Sequence, residues 1–525
     1  MRKEPAADRT HIRSGPFYAG DLIAGFSVAF VLLPQSIAYA RVAGMPAEAG
    51  VWVAAVAPIA GALAASSPYL GTGPTGVTSL LTFGALASLA VPGAPGYVGL
   101  AVLLAVMVGV VRLVIGLLRA GSIAYLMSQP VLTGFTTAAG VLIIASQVPT
   151  VMGTSVEDDR PLVAALDALS DPAEWNVEGI AMAIAVVAVV AGGRRVHALF
   201  PGVLLAVVAA LAYSDATGFT GPVVGDVETG LPILGIEIPW ESAWRLVLPA
   251  LVIAVVGFSE AASIARTYAM LDRKRWNPDR EFVGQGLANL AAGIVGGFPC
   301  GGSFTRSGLT RAAGAQTRLS GAVSGVIVLA VIPFIGLVSH LPVAVLGALV
   351  ILGVANLIRL GPFVLFGRAA RLQFAVAVAT FVLTLLLAPH VEYALLAGVV
   401  FSIGAHLWRE VRLSIPGWTD DGTLHIAPRG VLYFASAPSV EQSFADLLNN
   451  HPGARRLRIH LDGLGRVDLT GALVLERIIA DARAAGLDAR VVDVPPQAYK
   501  VISRVLQDDA IDDLDLKRFE ERGEA

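Results

Sequence analysis

The stretch from Gly296 to Arg318 holds the residue types that could do chemistry. It reads GGFPCGGSFTRSGLTRAAGAQTR, a Gly/Pro-rich break followed by a short helix with an arginine, inside an otherwise apolar chain. Lipid cannot hydrogen-bond to non-helical backbone, so such backbone must be buried in protein or line a cavity. A helix beginning near Ser303 would point free N–H groups into that cavity, beside the Thr305 hydroxyl and the Arg306 guanidinium. The sequence therefore predicts an anion site here.

A second break of the same kind precedes Thr75. Gly71, Gly73 and Pro74 stand before a helix that can begin at Thr75. The two broken segments are the third and the tenth apolar windows, and an odd separation gives the two halves opposite membrane topology. Paired interrupted segments indicate a site at the interface of inverted repeats. Ordinary packing also places Gly and Pro in membrane helices, and that alternative stays open.

Two more polar residues lie in apolar spans. Pro34 is expected to break the first span, which leaves the Gln35 amide at mid-membrane depth, unless a neighbour in a kinked helix binds it. Glu260 follows an apolar run that starts at Leu246. A carboxylate at this depth is costly unless paired or wet, so it indicates function, with Arg306 as its natural partner. The alternative is a structural acid near the inner interface.

The composition defines the elements that must position these residues. The 525 residues have a mean hydropathy of +0.71, with 55% hydrophobic and 15% charged residues, which excludes a soluble domain of this size. About fourteen apolar windows run from Ala19 to about Leu407, which predicts an α-helical polytopic membrane protein. Arg112 lies near a span end and is expected to snorkel towards the headgroups. Cys300 is the single cysteine, so an intrachain disulfide is excluded.

The placement of Lys and Arg predicts the orientation. Residues 1–18 are basic without the pattern of a signal peptide, and we expect them to be retained and cytoplasmic. An even number of spans then places the C-terminal domain inside as well. The loops predicted to be inside carry Arg194 and Arg195, residues 272–281, and Arg359 with Arg368 and Arg371; the acidic loops predicted to be outside are 157–178 and 215–245.

Four motifs in order and spacing resemble the sulfate permease family, whose animal members include anion exchangers and prestin. They are DLIAGFSVAF with LLPQSIAYA, then GPTGVTSLL, GFSEAASIAR, and GGSFTRSGLT with AGAQTRLSG. The resemblance implies two inverted seven-span repeats, split into a core and a gate domain, usually in a homodimer. It also implies an anion site between the third and tenth helix N-termini, completed by the first and eighth helices. In this sequence the implied site residues are Gln35, Thr75, Glu260, Ser303, Phe304, Thr305 and Arg306. Thr305 replaces a serine that relatives often carry and keeps the hydroxyl.

The C-terminal part alternates strand and helix patterns. TLHIAP, GVLYFAS, LRIHL and ARVVDV read as strands, and residues 440–448, 470–485 and 498–506 as helices. This alternation resembles a STAS domain. In related anti-sigma-factor antagonists a serine at the position of Thr470 is phosphorylated, whereas here Asp468 and Thr470 alternatively just cap a helix. The predicted domains are a cytoplasmic segment 1–18, a transporter domain 19–409, a linker 410–422 and the STAS domain 423–525.

These observations predict a secondary-active transporter of a small anion in the bacterial inner membrane, working by movement of the core against the gate. No metal-ligand spacing or Walker pattern is present, so we expect no enzyme activity, no cofactor and no nucleic-acid partner. Alternatives are a membrane signalling protein with a STAS output, an anion channel or motor relative, and a sodium-coupled bicarbonate transporter. Sulfate, bicarbonate and dicarboxylates all suit the predicted site.

Coupling to a co-transported proton is the last expectation, with sodium as the alternative. Glu260 is predicted to carry the proton, because an ionised Glu260 would compete with the substrate for Arg306 and protonation would remove that competition. A cytoplasmic protein is a further possible partner, for the STAS domain.

Overall fold

The computed structural model describes residues 19–515 apart from 126, 157, 198, 228, 229, 231, 233–236, 412, 434, 435, 513 and 514. The predicted cytoplasmic segment 1–18, parts of both predicted outside loops and the last ten residues of the predicted STAS domain lie outside the described residues. Two compact units divide the chain, Met1–Val400 and Phe401–Ala525.

Among the residues that the structure describes, the first half of the membrane unit contains eight α-helices and one short strand. In chain order these are α1 (Ala19–Val42), α2 (Ala47–Ala64), β1 (Gly71–Gly73), α3 (Gly76–Leu86), α4 (Pro95–Leu117), α5 (Gln129–Met152), α6 (Pro161–Ser170), α7 (Val177–Val196) and α8 (Gly202–Thr217). The second half repeats this order of long helices around another strand. Its elements are α9 (Ala243–Leu271), α10 (Pro278–Ile294), β2 (Gly301–Ser303), α11 (Phe304–Ala312), α12 (Leu319–Val331), α13 (Val343–Val354), α14 (Gly361–Ala369), α15 (Arg371–Leu386) and α16 (Val391–Val411).

The element order accounts for fourteen membrane segments in two repeats. Among the described residues, nine helical segments are long and apolar enough to span a bilayer, and α3, α8 and α15 are shorter apolar helices. The fourteen segments also include α10 and the half-helix α11. The first repeat consists of α1, α2, β1 with α3, α4, α5, α7 and α8, and the second of α9, α10, β2 with α11, α12, α13, α15 and α16. The strand-led half-helices occupy the third place in each repeat. The predicted fold class is confirmed.

Packing separates two bundles within this unit. Helix α10 packs against α4 and α2, α12 packs against α2 and α1, and α9 packs against α4; these elements, with the strands and half-helices, form the core bundle. Helix α5 packs against α13 and α15, and α7 against α8 and α13, which together form the gate bundle.

Glycines let the core helices approach closely. A methyl group on Gly284 of α10 would lie 2.8 Å from the backbone nitrogen of Ala65, and one on Gly286 would lie 2.9 Å from that of Leu113 on α4. Small residues at such positions are the usual means of tight helix packing in membranes. Helix α10 therefore lies in close backbone contact with the end of α2 and with α4.

Helix α1 runs through Pro34 without interruption, so the predicted break is wrong. A proline removes only one helical hydrogen bond, and a membrane helix packed on several sides tolerates that loss. Here α1 contacts α2, α11, α12 and α13, and Pro34 is buried among them.

The second unit is an α/β domain. Its elements are β3 (Gly417–Asp420), β4 (Thr423–Ile426), β5 (Gly430–Leu432), α17 (Ala437–Asn450), β6 (Arg456–His460), β7 (Leu464–Val467), α18 (Leu469–Ala484), β8 (Asp488–Val492) and α19 (Pro496–Ile502). Strands β4, β6 and β8 are parallel, β3 pairs antiparallel with β4, and β5 pairs with β7. Buried residues such as Leu424, Ile459 and Leu475 form its core. Strand β3 lies within residues 410–422, which the sequence suggested as linker.

Candidate functional site

The two broken segments pair with each other. Strands β1 and β2 are antiparallel, with Gly71 opposite Ser303 and Gly73 opposite Gly301. Because each strand leads into a half-helix, α3 and α11 leave this ribbon in opposite directions with their N-termini at its two ends. The pairing satisfies backbone groups that lipid would leave unbonded and brings two positive helix ends into one region.

Two of the predicted hydroxyl residues cap the half-helices. Thr75 is the N-cap of α3, and its Oγ1 accepts from the Thr78 amide at 3.4 Å. Ser303 is the N-cap of α11, and its Oγ accepts from the Arg306 amide at 3.4 Å. The Ser303 hydroxyl, which accepts in this way, keeps its own proton for donation to a ligand. Thr75 Oγ1 also lies 2.9 Å from Thr78 Oγ1, and the two hydroxyls share a hydrogen bond.

Arg306 is a buried cation without a counter-ion. Its residue exposure is 0%, and in the described part of the chain no carboxylate lies within ion-pair distance of it. Nη1 donates to Gln35 Oε1 at 3.5 Å, Nη2 donates to the Gly71 carbonyl at 3.4 Å, and Nε has no partner. Burying an uncompensated charge is expensive. The arrangement therefore suits a negatively charged ligand.

Glycines of β1 make room for this side chain. A methyl group on Gly71 would lie 2.6 Å from Arg306 Cβ, and one on Gly73 would lie 3.5 Å from Nη2. Gly73 also has a φ of 148°, which favours glycine.

Glu260 does not pair with Arg306, so the predicted ion pair is absent. The carboxylate is half-buried on α9 and makes no hydrogen bond or ion pair with any described residue. Arg306 and Arg359 both act on it electrostatically. Gln35 is 4% exposed and bonded to Arg306, as the kinked-helix alternative suggested, and its Nε2 also faces Gly353 of the gate bundle.

A cavity of about 1000 Å³ reaches the start of α11. Phe304 and Thr305 line it from the core side, and Arg194 of α7 and Arg359, just after α13, line it from the gate side. Arg306 lies behind this wall. The structure thus brings Phe304 and Thr305 to the cavity and holds Gln35, Thr75 and Arg306 in the protein beyond it.

Two amides on α10, absent from the predicted site, hold the ribbon. Asn289 Nδ2 donates to the Cys300 carbonyl at 3.1 Å, and Asn289 Oδ1 accepts from the Cys300 amide at 3.0 Å. Gln285 Nε2 donates to Thr72 Oγ1 at 2.8 Å. Both amides are buried. Their four-residue spacing within a glycine-rich apolar span was the signal that could have revealed them.

Arg112 is also buried, and the snorkelling prediction is wrong. Its guanidinium donates to the carbonyls of Cys300 at 2.8 Å, Ile253 at 3.0 Å and Ala254 at 3.2 Å. Three good acceptors inside the core bundle replace the contacts that headgroups would offer. Arg112 therefore ties α4 to α9 and to the start of β2.

A membrane unit of two inverted repeats, with half-helices meeting at a buried arginine and followed by an α/β domain, defines a transporter architecture. The profile described as the Sulfate permease family matches residues 18–380, and the profile of the STAS domain matches residues 418–523. The chain belongs to the sulfate permease family of anion transporters.

One curated relative agrees with this assignment, and two solved structures share the fold. The chain is 35% identical over 392 residues to "Probable sulfate transporter MT1781" of Mycobacterium tuberculosis, covering 73% of this chain and 69% of that one. The structure titled "The overall structure of SLC26A9" matches with a TM-score of 0.85 at 19% identity, covering 96% and 90% of the two chains. The transmembrane domain of the cyanobacterial bicarbonate transporter BicA matches with a TM-score of 0.63 at 23% identity, covering 75% and 99%.

Proposed function

We propose that the chain is a secondary-active transporter that binds a small anion at Arg306, between the N-termini of α3 and α11. The observation that carries the proposal is the fully buried Arg306 guanidinium without a carboxylate partner among the described residues. Gln35, Thr75, Ser303 and Thr305 would supply neutral hydrogen-bonding groups to the anion, and Phe304 would form an apolar wall. The names of relatives support sulfate and bicarbonate as candidates, and dicarboxylates fit the same chemistry.

Transport would proceed by movement of the core bundle against the gate bundle. The ribbon and both half-helices belong to the core bundle, so a bound anion would move with them. The cavity at Phe304 lies between the two bundles and carries Arg194 and Arg359, residues of loops predicted to be cytoplasmic. This supports an inward-open arrangement in an inner membrane, with both chain ends cytoplasmic; we also propose a homodimer.

Proton symport through Glu260 is the coupling we propose. Its carboxylate is half-buried and pairs with no described residue, and it attracts the same guanidinium that would hold the anion. Protonation would remove that competition, so proton and anion would bind together. Uptake of one proton with a monoanion is electroneutral. Uptake of one proton with a dianion moves one net negative charge inward against an inside-negative potential, which costs about 2.3 kcal/mol per 100 mV. A dianion would therefore need a second proton.

Uptake into proteoliposomes tests the function and separates its rivals. Labelled sulfate, bicarbonate and fumarate are offered under separately imposed proton and sodium gradients. Accumulation against the anion gradient that depends on the proton gradient supports the proposal. Accumulation that depends on the sodium gradient would show that the coupling ion is sodium. A signalling protein or a channel would accumulate none of the three anions.

The Glu260→Gln variant tests the assignment of the proton. It should keep anion binding and anion exchange, because glutamine resembles the protonated acid, and lose proton-driven accumulation. Glu48→Gln is a suitable control, since Glu48 is a half-buried carboxylate at the start of α2 without a contact to Arg306. Acidification of the vesicle lumen in step with uptake by Glu260→Gln would refute the assignment.

A further inference from the structure

We propose that Arg359 forms a second anion subsite, at the cavity wall in front of Phe304, which receives a small oxyanion before it reaches Arg306. The inference rests on the proposed transport function and adds a cytoplasmic entry step to it.

The position of Arg359 is fixed while the end of its side chain is free. It follows the 3₁₀ turn Ala355–Leu357, and its Nε donates to the Asn356 carbonyl at 3.2 Å. Its Cζ lies 5.2 Å from the centre of the Phe304 ring, within cation–π range. Neither Nη atom has a hydrogen-bond partner in the part of the chain that the structure describes. Both remain available for the two oxygens of one oxyanion.

The charges around the cavity favour an anion. Two arginines of the core bundle are already bound within the protein: Arg311 pairs with Asp272 at 2.8 Å, and Arg112 donates to backbone carbonyls. Arg194 and Arg359 line the cavity instead, and no described lining residue is acidic. Positive side chains in a cleft with apolar walls raise the local concentration of anions.

Phe304 relates the subsite to Arg306. Its side chain packs against the apolar cluster of Leu70, Ala261 and Ile264, and Arg359 covers it from the gate side. Arg306 follows two residues later and has no exposed surface. An anion that arrives through this cavity thus meets Arg359 first and needs a displacement at Phe304 to reach Arg306. Because the two cations belong to different bundles, the contact at Phe304 would be made and broken as the bundles move.

Sided transport kinetics test the subsite. Oriented proteoliposomes are prepared, with orientation read from protease access to the STAS domain, and labelled sulfate, bicarbonate or fumarate is used, whichever the unmodified protein carries. Arg359→Gln should raise the KM from the STAS side by about three- to tenfold, with the KM from the opposite side unchanged. Arg359→Lys should give a KM from the STAS side between those of the unmodified protein and Arg359→Gln, because lysine keeps the charge and lacks the planar guanidinium. The difference should shrink at high ionic strength, since salt screens exposed charges.

Arg368→Gln is the matched control. Arg368 is an exposed arginine on α14 that does not line the cavity, and its substitution should change neither KM. Equal effects of Arg359→Gln on both faces, or no effect on either, would overturn the subsite while transport by the unmodified protein stands. Failure of the unmodified protein to transport any of the three anions would overturn the proposed function itself.

Discussion

Two buried arginines in one bundle should respond oppositely to the same substitution. Arg306 and Arg112 are both fully buried. Arg306 makes side-chain contacts of 3.4 and 3.5 Å and leaves Nε unbonded, whereas Arg112 donates three bonds of 2.8 to 3.2 Å. Arg306→Gln should therefore leave the anion-free protein as stable as before or more stable, because it removes a poorly compensated charge. Arg112→Gln should destabilise it.

The expected magnitudes follow from the contacts. A hydrogen bond to a charged group contributes about 1.5 to 3 kcal/mol, so loss of the Arg306 contact to an anion should weaken binding by about tenfold to 150-fold. Arg112→Gln should lower the unfolding free energy by more than about 2 kcal/mol. The loss should be smaller than the sum over the three bonds, because the three carbonyls keep some of their other partners. Any effect of Arg112→Gln on anion affinity would act through the position of β2.

Thermal unfolding of the purified protein, with and without anion, separates the two effects. The unmodified protein should gain stability with rising anion concentration, since a ligand that binds only the folded state stabilises it. Arg306→Gln should lose that gain while its anion-free midpoint stays unchanged or rises, and Arg112→Gln should show a lower midpoint that anion still raises. The reasoning is refuted if Arg306→Gln lowers the anion-free midpoint as much as Arg112→Gln, or retains the full anion-induced gain.

Three further predictions concern other parts of the chain. Asn289→Ala leaves the buried Cys300 amide unbonded and should lower the unfolding free energy by about 1 to 3 kcal/mol. Asn289→Asp should lower it less, because aspartate keeps the acceptor for that amide. Equal losses for the two variants in thermal unfolding would contradict this. Burial and, to a smaller extent, the neighbouring His460 lower the pKa of His425 from 6.5, so the unfolded form binds the proton more tightly. The unfolding free energy of the STAS unit should therefore fall as pH drops through 6.5, and His425→Phe should abolish that slope. A chain ending at Gly417 should insert and still bind anion, because its membrane elements are complete; a folded truncated chain without anion binding would place part of the site in the tail.

Much of the architecture follows from the sequence because hydropathy and backbone breaks are local signals. The Gly/Pro breaks before Thr75 and Ser303 marked the half-helices, and the structure pairs them. The errors concern tertiary contacts. Pro34 lies in an unbroken helix because neighbours support it, and Arg112 turns inward because carbonyls of other helices accept its protons. The pairing of Glu260 with Arg306 was inferred from opposite charge, yet the direction of each side chain depends on packing that spacing does not encode.

The β1–β2 ribbon also bears on how such a chain could arise. Each repeat contributes one strand of three residues, and the two strands bond to each other across the repeats. A single ancestral repeat would have left these amides and carbonyls unbonded at membrane depth unless a second copy, inserted in the opposite orientation, supplied the partner strand. Dual-topology insertion followed by gene duplication and fusion meets this requirement. Two separately expressed half-chains should accordingly be unstable alone and recover a folded membrane unit only when they are synthesised together.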